Sequence, residues 1–177
     1  AIEANFEEVC KCDVQFIGLD SSIGILGRIQ LEGDNSKADI ALGLDTNLMH
    51  LAKQTGYFAE LPTEISSIIN KNSSLPINFE DDVFMPFDWG WFGFVYKKDL
   101  ISNPPQSFSD LLDLPDDMKI VIQDPRTATP GLGLLLWIKS IYGEEASTYW
   151  QQLQPKILTV TKGWSEAYGL FLDGEAD

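Results

Sequence analysis

Histidine is nearly absent from this chain: His50 is the one instance in 177 residues, in a helical pattern beside Leu48, Met49 and Leu51. A lone histidine in that setting reads as a surface or packing residue, and no Cys-His or Ser-His-Asp arrangement assembles around it. No GxSxG, HExxH or Walker A pattern occurs. Basic residues are scarce too, 12 Lys and Arg against 27 Asp and Glu, a net charge of −15. Nucleic-acid binding needs cations to neutralise phosphates, so no nucleic-acid partner is expected. Long apolar runs are missing as well. The densest stretch, Leu132 to Ile138, falls far short of the ~18 residues that a membrane-crossing helix requires.

Cysteine is limited to Cys10 and Cys12, in a Cys-Lys-Cys triplet. This is not the spacing of a zinc knuckle or a thioredoxin motif. A disulfide across one residue and two reduced thiols both remain open readings. The acidic pairs Glu7/Glu8, Asp81/Asp82, Asp116/Asp117 and Glu144/Glu145 lie in polar surroundings and read as solvated faces. The residues therefore point to no catalytic group, no metal site and no cofactor. The chain opens at Ala1 with no Met, basic n-region or apolar h-region, and stops straight after a helical pattern. Together with the element order, this leads to the expectation of a piece cut at both ends.

A 44% hydrophobic and 22% charged composition describes an ordinary globular protein. Helix-like and strand-like periods alternate throughout. Ile2 to Val9 reads as the tail of a helix, Asp13 to Leu19 as a strand, and Ser22 to Leu31 as a helix. A strand over Asp39 to Leu44 precedes helices over Thr46 to Gln54 and Thr63 to Ile69. Asn70 to Asp82 reads as a surface loop. Val83 to Tyr96 (VFMPFDWGWFGFVY) is dense in aromatic residues and suggests two extended segments broken near Asp88 and Gly90.

Beyond Pro104-Pro105 the spacing predicts a short helix to Leu112 with Ser107 as N-cap. A strand over Lys119 to Gln123 and helices over Gly131 to Tyr142 and Ala146 to Leu153 follow. A strand over Ile157 to Thr161 and a helix over Ser165 to Leu172 complete the order. Such alternation specifies a mainly parallel sheet covered by helices. Two α/β lobes are expected, residues 1–90 and 91–177, with a hinge near 87–97.

In open α/β sheets ligands gather at the carboxyl ends of strands. Three strand-to-helix junctions therefore matter. Leu19-Asp20-Ser21-Ser22 offers hydroxyls and free N–H groups before a helix, or simply an N-cap. Gln123 to Gly131 (QDPRTATPG) places Thr129 as a candidate N-cap before Pro130 at the first helical position. A helix start of that kind favours anions through its N–H groups and dipole. The Gly131-Leu132-Gly133 triplet lacks the third glycine of a dinucleotide fingerprint, so close helix packing explains it better. Thr159 to Ser165 (TVTKGWS) carries Trp164 on a loop, where its face suits a flat cationic ring, or where it is ordinary core. Together the junctions suit a ligand with a flat cationic end and an anionic end.

The runs GDNSKADIALGLDTNL, NPPQSFSDLL, QDPRTATPGLGLLLWIKSIYGEEA and TVTKGWSEAYGLFLDGEAD resemble those of bacterial periplasmic thiamine-binding proteins. These are the substrate-binding components of an ABC importer for thiamine and its phosphates. The resemblance runs from the first cysteine to Asp177. It implies a two-lobed type II periplasmic binding protein fold, incomplete here, since the family carries an earlier strand and continues past the equivalent of Asp177. It implies a periplasmic location, a membrane permease as partner and a monomer at full length. Ser21 and Ser22 fall where the family can have Asp-Gly at a ligand-contacting loop. Ala128 and Thr129 fall where it has Ser-Thr beside the phosphate, and Trp164 matches its ring-contacting tryptophan.

The ligand-binding residues expected are thus Ser21, Ser22, Ala128, Thr129 and Trp164. A thiaminase-like enzyme on the same kind of fold, with a cysteine nucleophile, is the alternative from another class. Cys10 and Cys12 precede the first complete strand, which counts against that use. A type II binding protein for another small cation, such as a polyamine, is the third reading.

Overall fold

The computed structural model describes residues 2–65, 75 and 79–177. Helix α1 (Ile2–Cys10) ends in a disulfide between Cys10 and Cys12, which settles the choice between disulfide and free thiols. Their Cα atoms lie 5.3 Å apart, inside the usual range of roughly 4.4–6.8 Å. The intervening Lys11 turns the chain with φ at 57°. Helix α2 (Ser22–Glu32) follows Ser21, whose hydroxyl accepts a hydrogen bond from the Gly24 N–H at 3.2 Å. Helix α3 (Met49–Thr55) closes on Gly56 in the left-handed region. His50 is exposed on it, its Nε2 2.9 Å from Gln54 Nε2, as expected of a surface histidine.

The two strands expected in this half are not found as strands. Asp13 to Leu19 and Asp39 to Leu44 have no ladder among the described residues, and within the second Gly43 turns with φ at 103°. A strand exists by virtue of its hydrogen-bonded neighbours, and local periodicity does not supply them. Phe16, Ile17, Ile40 and Leu42 stay exposed accordingly. Of the expected helix over Thr63 to Ile69, residues 63–65 are helical and the rest lie outside the described residues, as does most of the expected loop over 70–82. The aromatic segment 83–96 carries no helix or strand.

The other half holds the main core. Helix α4 (Phe108–Leu112) starts with a capping box: Ser107 Oγ accepts from the Asp110 N–H while the Asp110 carboxylate accepts from the Ser107 N–H. Strands β1 (Ile120–Gln123) and β2 (Ile157–Thr161) pair in parallel, Ile122 opposite Val160 and Gln123 opposite Thr161. Helix α5 (Thr129–Tyr142) and helix α6 (Ala146–Leu153) form the crossover between them. Helix α7 (Trp164–Asp173) packs back on β1.

Phe108, Leu111, Ile138, Ala146, Tyr149 and Leu153 are buried together. Within this cluster the Tyr149 hydroxyl donates to Phe108 O at 2.7 Å, and burial pushes its phenol pKa up. Satisfying that one polar atom lets an aromatic side chain occupy the core. Lys156, also buried, donates to Leu114 O and to Asp116 Oδ1, the latter at 2.7 Å.

Candidate functional site

Because β1 and β2 run in parallel, their carboxyl ends open side by side, and the loops into α5 and α7 leave from one edge. Thr127 Oγ1 donates to Lys162 O at 2.6 Å, and the Asp124 N–H donates to Thr161 O at 2.8 Å. These bonds pin the second and third junctions to each other. The first junction arrives from the other half of the chain. Ser22 Oγ lies 3.1 Å from Thr129 Oγ1, and Asp20 Oδ2 lies 3.8 Å from Lys162 Nζ. The Asp20 and Lys162 side chains are exposed, so that ion pair adds little. The three junctions chosen from the sequence do meet.

A fourth element was not anticipated. Asp45, at the turn into α3, accepts a hydrogen bond from Thr129 Oγ1 at 2.5 Å through Oδ2. Its Oδ1 accepts from the Asn47 N–H at 2.9 Å, which holds the carboxylate in place. Since the Thr129 proton goes to Asp45, the Ser22 hydroxyl is the donor to Thr129. A directed chain, Ser22 to Thr129 to Asp45, thus links residues up to 107 positions apart. The signal for Asp45 was present in Gly43-Leu44-Asp45-Thr46, an acidic residue straight after a strand-like run, which is the same local pattern as the other three junctions.

Thr129 therefore departs from its expected part. It is the first helical residue of α5, and Ala128, extended at φ −135°, is the N-cap, with no side-chain cap bond. The hydroxyl is engaged by Asp45 and does not fold back on the first turn. Pro130 still lies in the first turn, where its missing N–H costs nothing. Ala128 is buried, and its N–H donates to Asp124 O at 2.9 Å within the turn. Ser21 spends its side chain on capping α2.

Arg126 is likewise occupied. Its guanidinium grips the Asp124 carboxylate at 2.5–3.1 Å and holds the Asp124 pKa down to about 2.

Trp164 is not core: it is 59% exposed, stacked on Tyr168 with ring centroids 4.7 Å apart. With Gln123 and Pro130 it lines a cavity of about 300 Å³, which the Trp91 to Val95 segment also lines. Gln123 Oε1 is buried there without a hydrogen-bond partner among the described residues. Gly131 and Gly133 explain how α5 sits so close. A Cβ on Gly131 would stand 2.3 Å from Gln123 O, and one on Gly133 would stand 2.5 Å from the Phe92 ring. Close packing is indeed their purpose. The arrangement offers hydroxyls at a helix start that has no side-chain cap, and an exposed indole face on the cavity that Pro130 also lines.

Comparison with known proteins places this geometry. Residues 35–174 match the family model described as bacterial extracellular solute-binding protein. The chain is 51% identical over 175 residues to a thiamine-binding periplasmic protein of Brucella abortus, covering 99% of this chain and 51% of that one. It is 47% identical over 176 residues to the protein of that name from Escherichia coli K12, covering 99% of this chain and 52% of the other. The Haemophilus influenzae protein of that name is 38% identical over 178 residues. A solved periplasmic thiamin binding protein superposes with a TM-score of 0.89 at 46% identity, over 99% of this chain and 54% of that one.

The chain thus spans about half the length of the curated relatives it matches. Its α/β architecture is that of the corresponding part of a type II solute-binding protein, as expected. With the fold, the length of the match and the family model in agreement, the chain belongs to the bacterial extracellular solute-binding proteins.

Proposed function

We propose that this chain is part of the substrate-binding component of an ABC importer for thiamine, working in the periplasm and handing its ligand to a membrane permease. The observation that carries the reading is 38–51% identity, across nearly the whole chain, to proteins named as thiamine-binding and periplasmic. The junctions supply chemistry that fits the ligand. Thiamine joins a cationic thiazolium ring to an aminopyrimidine and ends in an alcohol. The exposed face of Trp164 suits the cation, and the Ser22 and Thr129 hydroxyls with the α5 start suit the alcohol or a phosphate on it. Ser21, the cap of α2, and Ala128, the N-cap of α5, directly precede those two hydroxyls in the chain.

In this reading residues 1–90 and 91–177 belong to two lobes that close about a hinge near 87–97. The protein is a monomer, takes thiamine and its phosphates, and performs no chemistry on them. The thiaminase alternative needs a free thiol, whereas Cys10 and Cys12 are bonded to each other at the end of α1. The test is calorimetric titration of thiamine into the complete gene product, followed by incubation with thiamine and an added nucleophile. One bound thiamine recovered unchanged is the expected result. Absence of binding, or appearance of cleaved thiazole, overturns the reading, and tighter binding of a polyamine replaces its ligand.

A further inference from the structure

We propose that Gln123 is a specificity-determining residue of this site, its side-chain carbonyl accepting a hydrogen bond from the amino group on the ligand's pyrimidine ring. The inference rests on the thiamine-binding reading and deepens it. Gln123 is the last residue of β1, at the carboxyl end of the strand, where ligands of such sheets gather. It lines the cavity of about 300 Å³ that Trp164 and Pro130 also line. That volume is at the lower end of the range for small-molecule sites. The Gln123 Oε1 is buried and has no hydrogen-bond partner among the described residues.

A buried acceptor left without a donor costs free energy, and folded proteins hold few of them. Neighbouring side chains are engaged elsewhere. Thr161, opposite Gln123 in the ladder, turns its hydroxyl to Ile122 O at 3.3 Å and Gly163 O at 3.0 Å. Lys119 and Asp177 line the same cavity, but the Lys119 ammonium donates to Pro155 O at 3.0 Å. The Asp177 carboxylate is itself an acceptor, taken by the Lys119 N–H at 2.8 Å. The backbone under Gln123 is fixed, since the Asp124 N–H donates to Thr161 O at 2.8 Å. The amide turns about a soft final torsion, so it meets a donor in the cavity without moving the strand. Thiamine carries donors in its alcohol and in its pyrimidine amino group. The Ser22 and Thr129 hydroxyls take the alcohol and the Trp164 indole takes the thiazolium, which leaves the amino group for the Gln123 acceptor. A phosphate on the alcohol lies at the other end of the ligand and leaves this contact unchanged. An oxygen in place of the amino group would face the carbonyl with no proton between them.

The experiment measures two dissociation constants by calorimetry on the complete gene product, in the native protein and in Gln123→Leu. One is for thiamine, the other for its analogue with a carbonyl oxygen in place of the pyrimidine amino group. The native protein should bind thiamine about tenfold more tightly than the analogue. Gln123→Leu should lose about tenfold for thiamine and less than about twofold for the analogue, the scale of one hydrogen bond to a buried group. If thermal melting shows that Gln123→Leu does not fold, Gln123→Glu takes its place. Its carboxylate accepts only, so it keeps the bond to the amino group and should widen the preference for thiamine. An equal loss for both ligands overturns the proposal, because that is the mark of a merely structural residue. Unchanged thiamine affinity in Gln123→Leu, or an unchanged preference in Gln123→Glu, also overturns it while leaving the thiamine reading standing. A native protein that binds neither ligand overturns the thiamine reading itself.

Discussion

Replacing Gly131 with alanine isolates the contact that seats α5 on the end of β1. The added Cβ would lie 2.3 Å from Gln123 O, 2.7 Å from its carbonyl carbon and 2.8 Å from the carbonyl carbon of Asp124. Ordinary contact requires a retreat of about 1 Å. Backbone cannot yield as a flexible side chain does. The strand end is tied by the Asp124 N–H to Thr161 O at 2.8 Å, and the turn into α5 by the Ala128 N–H to Asp124 O at 2.9 Å.

Overpacking of this kind costs about 1–3 kcal/mol, and a clash with backbone belongs at the upper end. Against it stands the gain of about 1 kcal/mol that alanine brings to a helix interior. The net expectation is a loss of about 2 kcal/mol, or roughly 4–8 °C in Tm for a chain of this size. Gly169 in α7 provides the control, since a Cβ there meets nothing within 4 Å. Gly169→Ala should hold or raise the Tm, while Gly131→Ala lowers it, both followed by circular dichroism at 222 nm. If Gly131→Ala melts at or above the native temperature, the close approach of α5 to β1 is not as described.

Other substitutions probe the site and its frame. Trp164→Ala should weaken thiamine binding by roughly 1–2 kcal/mol through loss of a cation–π contact, with the fold retained; an unchanged calorimetric Kd refutes the assignment. Asp124 is held at about 2, below its usual range near 3.8, by the Arg126 guanidinium. Because the folded pKa is lowered, the stability this pair contributes is present above about pH 4 and is lost as pH falls through about 2. Carboxyl NMR should show Asp124 titrating near 2, and Arg126→Gln should return it toward the usual range. Lys156→Met should cost about 1 kcal/mol, because Leu114 O loses its buried donor. Urea denaturation measures it, and an increase in stability would show that the apolar replacement outweighs the lost bond.

Elements whose signals are local were legible without coordinates. Ser107 as the cap of α4, the bounds of α6 and β2, and the meeting of strand ends at one edge all follow from spacing, capping chemistry and the parallel connection rule. The resemblance in the quoted runs supplied the family that the comparisons then showed. Other features depended on partners remote in the chain. Asp13 to Leu19 has strand composition but no neighbour to pair with among the described residues. Thr129 looked like a cap because the tripeptide Thr-Pro-Gly fits one. Its hydroxyl is instead drawn to Asp45, 84 positions away. Arg126 is held by Asp124, two residues back, a pairing that sequence alone does not assign. A hydroxyl or a guanidinium satisfies whichever acceptor the fold brings within 3 Å, and sequence spacing constrains that choice only inside a helix or a turn. The sequence by itself therefore determined which of these segments are helical and what chemistry the junctions carry; tertiary structure decided which of those groups remain free, because hydrogen-bond partners are assigned by distance in space.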